Sequence, residues 1–185
     1  MNEVIECIKS RRSYRNYKEE PIPRDLLKNV VETGIYAPSA RNQQLWHFTI
    51  IENQEIIQEM TQAIKAKMKQ SDSDFLKKRA AEPNFSPFYQ APAVVLVSIE
   101  KDSPWGEIDC GLAAGNIALT AESFGLGTCI VGMTRLIFQS EEAQKYQEMC
   151  KIPQGHEVLF AIAIGYKPDQ TPDMPEKNKD VIHFV

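Results

Sequence analysis

No run of about 18 or more apolar residues occurs in this chain, which excludes a membrane-spanning helix. Cysteine is scarce: four stand at 7, 110, 129 and 150, and none form a CxxC pair. The start, Met1-Asn2-Glu3-Val4, lacks the basic-then-apolar order of a signal peptide. A disulfide framework is therefore not expected, and a reduced, cytoplasmic location is. The three histidines, His47, His156 and His183, are scattered without metal-ligand spacing, so neither a metal site nor a Cys-His nucleophile is expected. There is no excess of positive charge. A formal net charge of -4 argues against non-specific nucleic-acid binding, which needs a basic face. Internal repeats and low-complexity segments are also lacking. What remains is a 185-residue chain with 43% hydrophobic and 25% charged residues, best read as a single domain over 1–185 with an ordinary core.

Taken in order, Asn2 can cap a first helix whose Val4, Ile5 and Ile8 share a face. Ile22-Pro23 opens a second helix, with Leu26, Leu27, Val30, Val31 and Ile35 as its buried stripe. Gly34 and Pro38 stop it. A strand is expected over Leu45–Glu52, and Asn53 caps a helix carrying Ile56, Ile57, Met60, Ile64 and Met68, the methionines as packing residues. From 70 to 90 the pattern dissolves into charge and then aromatics, which predicts a mobile segment serving as a lid or holding a satellite cluster. Ala93–Glu100 reads as a buried strand. The helix Ile108–Phe124 is apolar almost all round, so it is central or packed on a partner subunit.

Gly125-Leu126-Gly127 closes that helix and delivers a strand over Thr128–Met133. It is not a dinucleotide fingerprint, because it follows a helix and Ile130 occupies the third glycine position. A polar helix from Ser140 ends near Lys151-Ile152-Pro153, and Glu157–Tyr166 is the last core strand. The charged, proline-rich tail ends in Val181-Ile182-His183-Phe184-Val185, which reads as a short strand that docks elsewhere.

The chemistry concentrates between Arg11 and Phe48. Arg11-Arg12-Ser13-Tyr14-Arg15 places three cations and a hydroxyl at the end of the first helix. Two readings of Arg11 and Arg12 stand: they complement the helix dipole, or they hold a phosphate bidentately. Ser13 and Arg15 favour the phosphate. The loop Pro38-Ser39-Ala40-Arg41-Asn42-Gln43-Gln44 offers small side chains and amides before the Trp46 strand. Together they suit a flat, polar-edged, phosphorylated ligand.

The segments RRSYR, APSARNQQLWHF and GLGTCIVG, in this order and spacing, resemble the FMN-dependent nitroreductase superfamily over nearly the whole chain. The resemblance implies an α+β, three-layer fold with a mixed, mostly antiparallel sheet flanked by helices and a C-terminal strand exchanged in a homodimer. It implies FMN as cofactor, NAD(P)H as reductant and a small-molecule electron acceptor, with no nucleic-acid or membrane partner. Arg11, Arg12 and Ser13 would hold the phosphate side, Arg15 the N1 and C2 carbonyl edge, and Asn84 the pyrimidine edge. Pro38, Ser39 and Asn42 would come from the opposite subunit, and Val131 and Gly132 would offer backbone near N5. Lys177 and Lys179 stand where relatives often show a lysine and an arginine around the phosphate. Because the chemistry belongs to the cofactor, no general acid, base or nucleophile is assigned. The function implied is ping-pong reduction of nitroaromatics, quinones or similar flat acceptors. Two alternatives remain: a free-flavin reductase or reductive dehalogenase, and a non-catalytic flavin-nucleotide-binding protein. Arg15 argues against the last, since a cation there is best explained if the ring itself becomes charged.

Overall fold

The computed structural model describes residues 2–185. Four strands form one antiparallel sheet in the order β1-β2-β4-β3: β1 is Trp46–Ile51, β2 Ala93–Glu100, β3 Leu126–Val131 and β4 His156–Tyr166. The two central strands are the most apolar. Their continuous runs follow from burial on both faces, since side chains alternate across a strand with period two. Val94 and Leu96 of β2 join one core, while Ala93, Val95, Val97 and Ile99 join the other. Each fully buried aliphatic contributes about 1.5–3 kcal/mol.

Helices cover both faces and complete three layers. On one side lie α3 (Gln54–Gln70), α4 (Asp74–Ala81), α6 (Arg135–Phe138) and α7 (Ala143–Met149). On the other lie α2 (Arg24–Glu32) and α5 (Gly106–Ser123), with Leu27, Val30 and Ile117 against Val95 and Ile162. The helix α1 (Glu3–Ser10) rests on α5, where the Cys7 thiol donates to the Leu119 carbonyl at 3.2 Å. The expected caps form: Asn2 Oδ1 accepts from Val4 N–H, and Asn53 Oδ1 from Glu55 and Ile56. The single domain expected over 1–185 includes Met1, which lies outside the described residues.

Several expectations change. The segment 70–90 contains α4, capped by the Ser73 hydroxyl, and Phe85 and Phe88 belong to a main core rather than to a satellite cluster. With Phe75 and Leu76 adjacent and only Ala80 buried, α4 carries no repeating apolar stripe to set against its charges. Ile35, placed in a buried stripe, is exposed because the chain has already passed into a 3₁₀ turn over Thr33–Tyr36. The helix α5 is covered by this chain on one side, with Ile108 at 57% and Leu112 at 46% exposure, so of the two expectations it is not the fully enclosed central helix. Val4, Ile5 and Ile8 are exposed too. Residues 181–185 form no strand in the single chain and are exposed. Among the described residues, no helix is long and apolar enough to cross a membrane.

Candidate functional site

The Arg11–Lys18 segment is laid along the outer edge of β3. Ser13 bridges Thr128 in parallel, and the Tyr14 N–H donates to the Thr128 carbonyl at 3.0 Å. This isolated bridge lies outside the four strands, whose pairings are all antiparallel, so the sheet is antiparallel where a mixed, mostly antiparallel one was expected. Lys18 N–H then donates to the Tyr166 carbonyl at 3.1 Å. Between these points Tyr14 and Tyr17 bury their rings over Gly127 and Gly165, which are partners across the β3–β4 ladder. A Cβ on Gly127 would stand 2.7 Å from the Tyr14 ring, and one on Gly165 would stand 2.8 Å from the Tyr17 ring. Only glycine lets the segment sit this close. The Tyr17 hydroxyl lies between the carbonyls of Tyr14, at 2.9 Å, and Ala163, at 3.1 Å. Burial raises its pKa well above the ordinary phenol value.

The arginines separate in role. Arg12 Nη1 donates to the carbonyls of Lys9, Ser10 and Arg11 at 2.6–2.9 Å, closing the C-terminus of α1. Its Nε is buried without a partner among the described residues. Arg11 and Arg15 meet no carboxylate among the described residues, and both charges oppose the rise that burial imposes on the Cys129 thiol of β3. Glu122, at the end of α5, accepts from the Ser10 hydroxyl at 3.0 Å and pairs with Lys167 at 2.8 Å, fixing the start of the segment.

Arg15 shares a pocket of about 360 Å³ with Asn84, Arg79 and Tyr89, and its guanidinium stands 6.0 Å from the Tyr89 ring. The Asn84 turn is held from both sides. Lys65 Nζ donates to the Phe85 carbonyl at 2.9 Å, and Arg79 stacks 4.6 Å from the Phe85 ring while pairing with Glu82.

The 38–44 loop is built differently. Arg41, Asn42 and Gln44 all have φ between +53° and +56°. Such conformations cost on the order of 1 kcal/mol or more each for a residue with a Cβ, least for asparagine. Gln44 N–H donates to Ser39 Oγ at 3.1 Å, and Gln44 Nε2 to Asn42 Oδ1 at 3.0 Å. The Ala40 N–H lies 3.2 Å from both oxygens of Asp109. No hydrogen bond joins this loop to Arg11–Arg15 or Asn84 among the described residues.

Val131 ends β3 and is buried, whereas Gly132 is exposed with open space where a side chain would project. Pro38 is exposed beside the loop, and Lys177 and Lys179 are exposed in the tail with no ion pair among the described residues. The histidines are less scattered than their spacing implies: His47 and His156 lie 6.0 Å apart, and burial followed by His156 lowers the His47 pKa. Among the described residues no three His, Cys, Asp or Glu side chains gather as a metal site.

Residues 8–166 match the Nitroreductase family. The chain belongs to that family. A nitroreductase with bound FMN from Bacteroides fragilis is similar over 100% of both chains, with 33% identity and a TM-score of 0.93. A putative NADH dehydrogenase/NAD(P)H nitroreductase from Methanothermobacter thermautotrophicus is 26% identical, over 98% of this chain and 86% of its own length. An NADPH-flavin oxidoreductase from Vibrio harveyi is 28% identical, over 94% and 69%. Within this nitroreductase-family chain, sequence reasoning missed Asp109, Glu122 and the two tyrosine–glycine contacts. Gly127 and Gly165, each inside an apolar strand run, are the signal for those tyrosine contacts.

Proposed function

We propose that this single-domain nitroreductase-family chain is an FMN-dependent NAD(P)H oxidoreductase acting on flat acceptors such as nitroaromatics or quinones. The observation that carries it is Arg11 and Arg15: two guanidiniums without carboxylate partners among the described residues, the second sharing a pocket with Asn84. Unneutralised arginines beside an amide fit a phosphorylated ring with an electron-rich carbonyl edge. Arg11 and Ser13 would bind the phosphate, joined by the free Nε of Arg12 and by Lys177 and Lys179 from the tail. Arg15 would stabilise charge gathering at the pyrimidine edge, and Asn84 would orient that edge by hydrogen bonding. Val131 and Gly132 would let the backbone approach the ring, because Gly132 leaves its outer side open. Bound FMN would supply a two-electron carrier that accepts hydride from the nicotinamide and passes it to the acceptor once the oxidised nicotinamide has left.

Pro38, Ser39 and Asn42 are assigned to the partner's site in a homodimer. Support comes from the uncovered apolar surfaces of α1 and α5 and the apolar end of the tail, which a large, obligate interface would bury. Four free cysteines agree with a reduced, cytoplasmic location. The Vibrio harveyi relative favours a second reading, in which free flavin is the acceptor.

Purified protein is expected to be yellow, to sediment as a dimer and to be bleached anaerobically by NADPH or NADH. Steady-state rates with a nitroaromatic, a quinone and free riboflavin then rank the acceptors. A colourless protein that neither binds added FMN nor oxidises NAD(P)H ends the oxidoreductase reading.

A further inference from the structure

We propose that Asp109 is the positioning residue that locks the 38–44 loop onto α5 and so sets the loop's reach into the flavin site of the other subunit. The inference rests on the assignment of Ser39 and Asn42 to that site. Asp109 itself cannot drift. It sits in the first turn of α5 with 7% of its surface exposed. That turn is pressed onto the sheet at Gly106, where a Cβ would stand 2.6 Å from Ile99.

The loop, by contrast, has little to hold it. Its other hydrogen bonds run between its own residues: Gln44 to Ser39, Gln44 to Asn42, Asn42 N–H to the Ser39 carbonyl and Gln43 N–H to the Ala40 carbonyl. These define the loop's shape and say nothing of where it points. Among the described residues, the Ala40–Asp109 contact is the hydrogen bond that ties it to another element. The turn before the loop is also docked on α5, with Asn116 Nδ2 donating to the Thr33 carbonyl at 3.3 Å and Gly34 packed against Ile117.

The same helix offers Ile108 and Leu112 to solvent on its outer side. A loop serving the partner's site must be registered against the surface that meets the partner. The buried carboxylate does this, because an unpaired Asp109 would be left without compensation in the interior. Asp109 would therefore link assembly to flavin binding.

The test uses dimeric protein, with FMN affinity read by fluorescence titration and the oligomer by sedimentation. Two variants delete opposite ends of the contact: Asp109→Ala removes the acceptor, and Ala40→Pro removes the donor. The extended backbone of Ser39 (φ -128°, ψ 152°) tolerates a following proline. Each should weaken FMN about tenfold, the loss of one hydrogen bond to a charged group. The double variant should be no weaker than either single one, because the two share one interaction. Asp109→Asn keeps an acceptor and should stay within about threefold. If Asp109→Ala does not fold, Ala40→Pro and Asp109→Asn carry the test.

Unchanged FMN affinity in Ala40→Pro and Asp109→Ala, while Ser39→Ala or Asn42→Ala weakens it, overturns the positioning role and leaves the loop in the site. Unchanged affinity in all four means that the loop does not meet the flavin, and the inference falls with that assignment. Additive losses in the double variant would also overturn it, since Asp109 would then be acting through something other than Ala40.

Discussion

Two segments that the resemblance places around one flavin are held by opposite means. Residues 11–18 are fastened by main-chain hydrogen bonds to a sheet edge and by two tyrosines pressed onto glycines. Residues 38–44 hold three left-handed residues in a loop whose external hydrogen bond comes from one carboxylate. The first arrangement fails when a buried tyrosine is truncated or when a side chain intrudes at the glycines. The second tolerates bulk but depends on one polar contact. A cationic anchor needs a rigid base, whereas a loop proposed to cross between subunits needs a defined direction.

The largest expected effect tests the first means. Tyr14→Ala should destabilise the fold by about 3–5 kcal/mol, as for a large buried aromatic. Gly127→Ala should cost about 1–3 kcal/mol through overpacking against the same ring. Urea denaturation measures both, and a Gly127→Ala protein as stable as wild type would break the contrast.

The roles of the adjacent arginines can be separated next. Arg11→Ala should weaken FMN by about tenfold to a hundred-and-fiftyfold, for charge-assisted bonds worth roughly 1.5–3 kcal/mol. Riboflavin, with the same ring and no phosphate, should scarcely respond. Arg12→Ala should cost stability, up to about 1 kcal/mol, since its guanidinium closes α1, and should weaken FMN less than Arg11→Ala because only its Nε is left for the phosphate. Paired titrations at fixed ionic strength decide between them, and equal losses for FMN and riboflavin in Arg11→Ala would remove Arg11 from the phosphate.

Tyr17 provides an alkaline limit. Its folded pKa is raised by burial, so above its ordinary value of 10.0 the unfolded chain releases a proton that the folded chain keeps. Stability is therefore fully present below pH 10 and should fall as pH rises beyond it, by at most about 1.4 kcal/mol per pH unit. Tyr17→Phe should reduce the slope above pH 10 and leave the part set by the Cys110, Cys129 and Cys150 thiols, which burial also pushes up; an unchanged slope in denaturation curves between pH 9 and 11 would assign it to those groups alone.

The smallest effect probes the loop. Arg41→Gly should be neutral or stabilise by up to about 1 kcal/mol, because glycine adopts φ 56° without a steric cost. A clear loss in melting temperature would show that the Arg41 side chain, rather than its backbone, matters.

The amino-acid sequence by itself determined the order and type of the main elements. Alternation and continuous β-branched runs specify which strands are buried, and the Asn2 and Asn53 caps act over two or three residues. It also identified the cationic segment and the amide-bearing loop, because both are contiguous. Its failures share a physical cause. The α4 helix has no repeating apolar stripe, with Ala80 as its buried residue, and which side of α5 the chain covers depends on distant neighbours that no local pattern records. Only the tertiary structure decided that Gly127 faces Tyr14, that Asp109 meets Ala40 69 positions away, and that Arg12 turns back onto α1 while Arg15 shares a pocket with Asn84. Those contacts join residues far apart in the chain, where sheet register and helix docking, rather than local preference, set the distance.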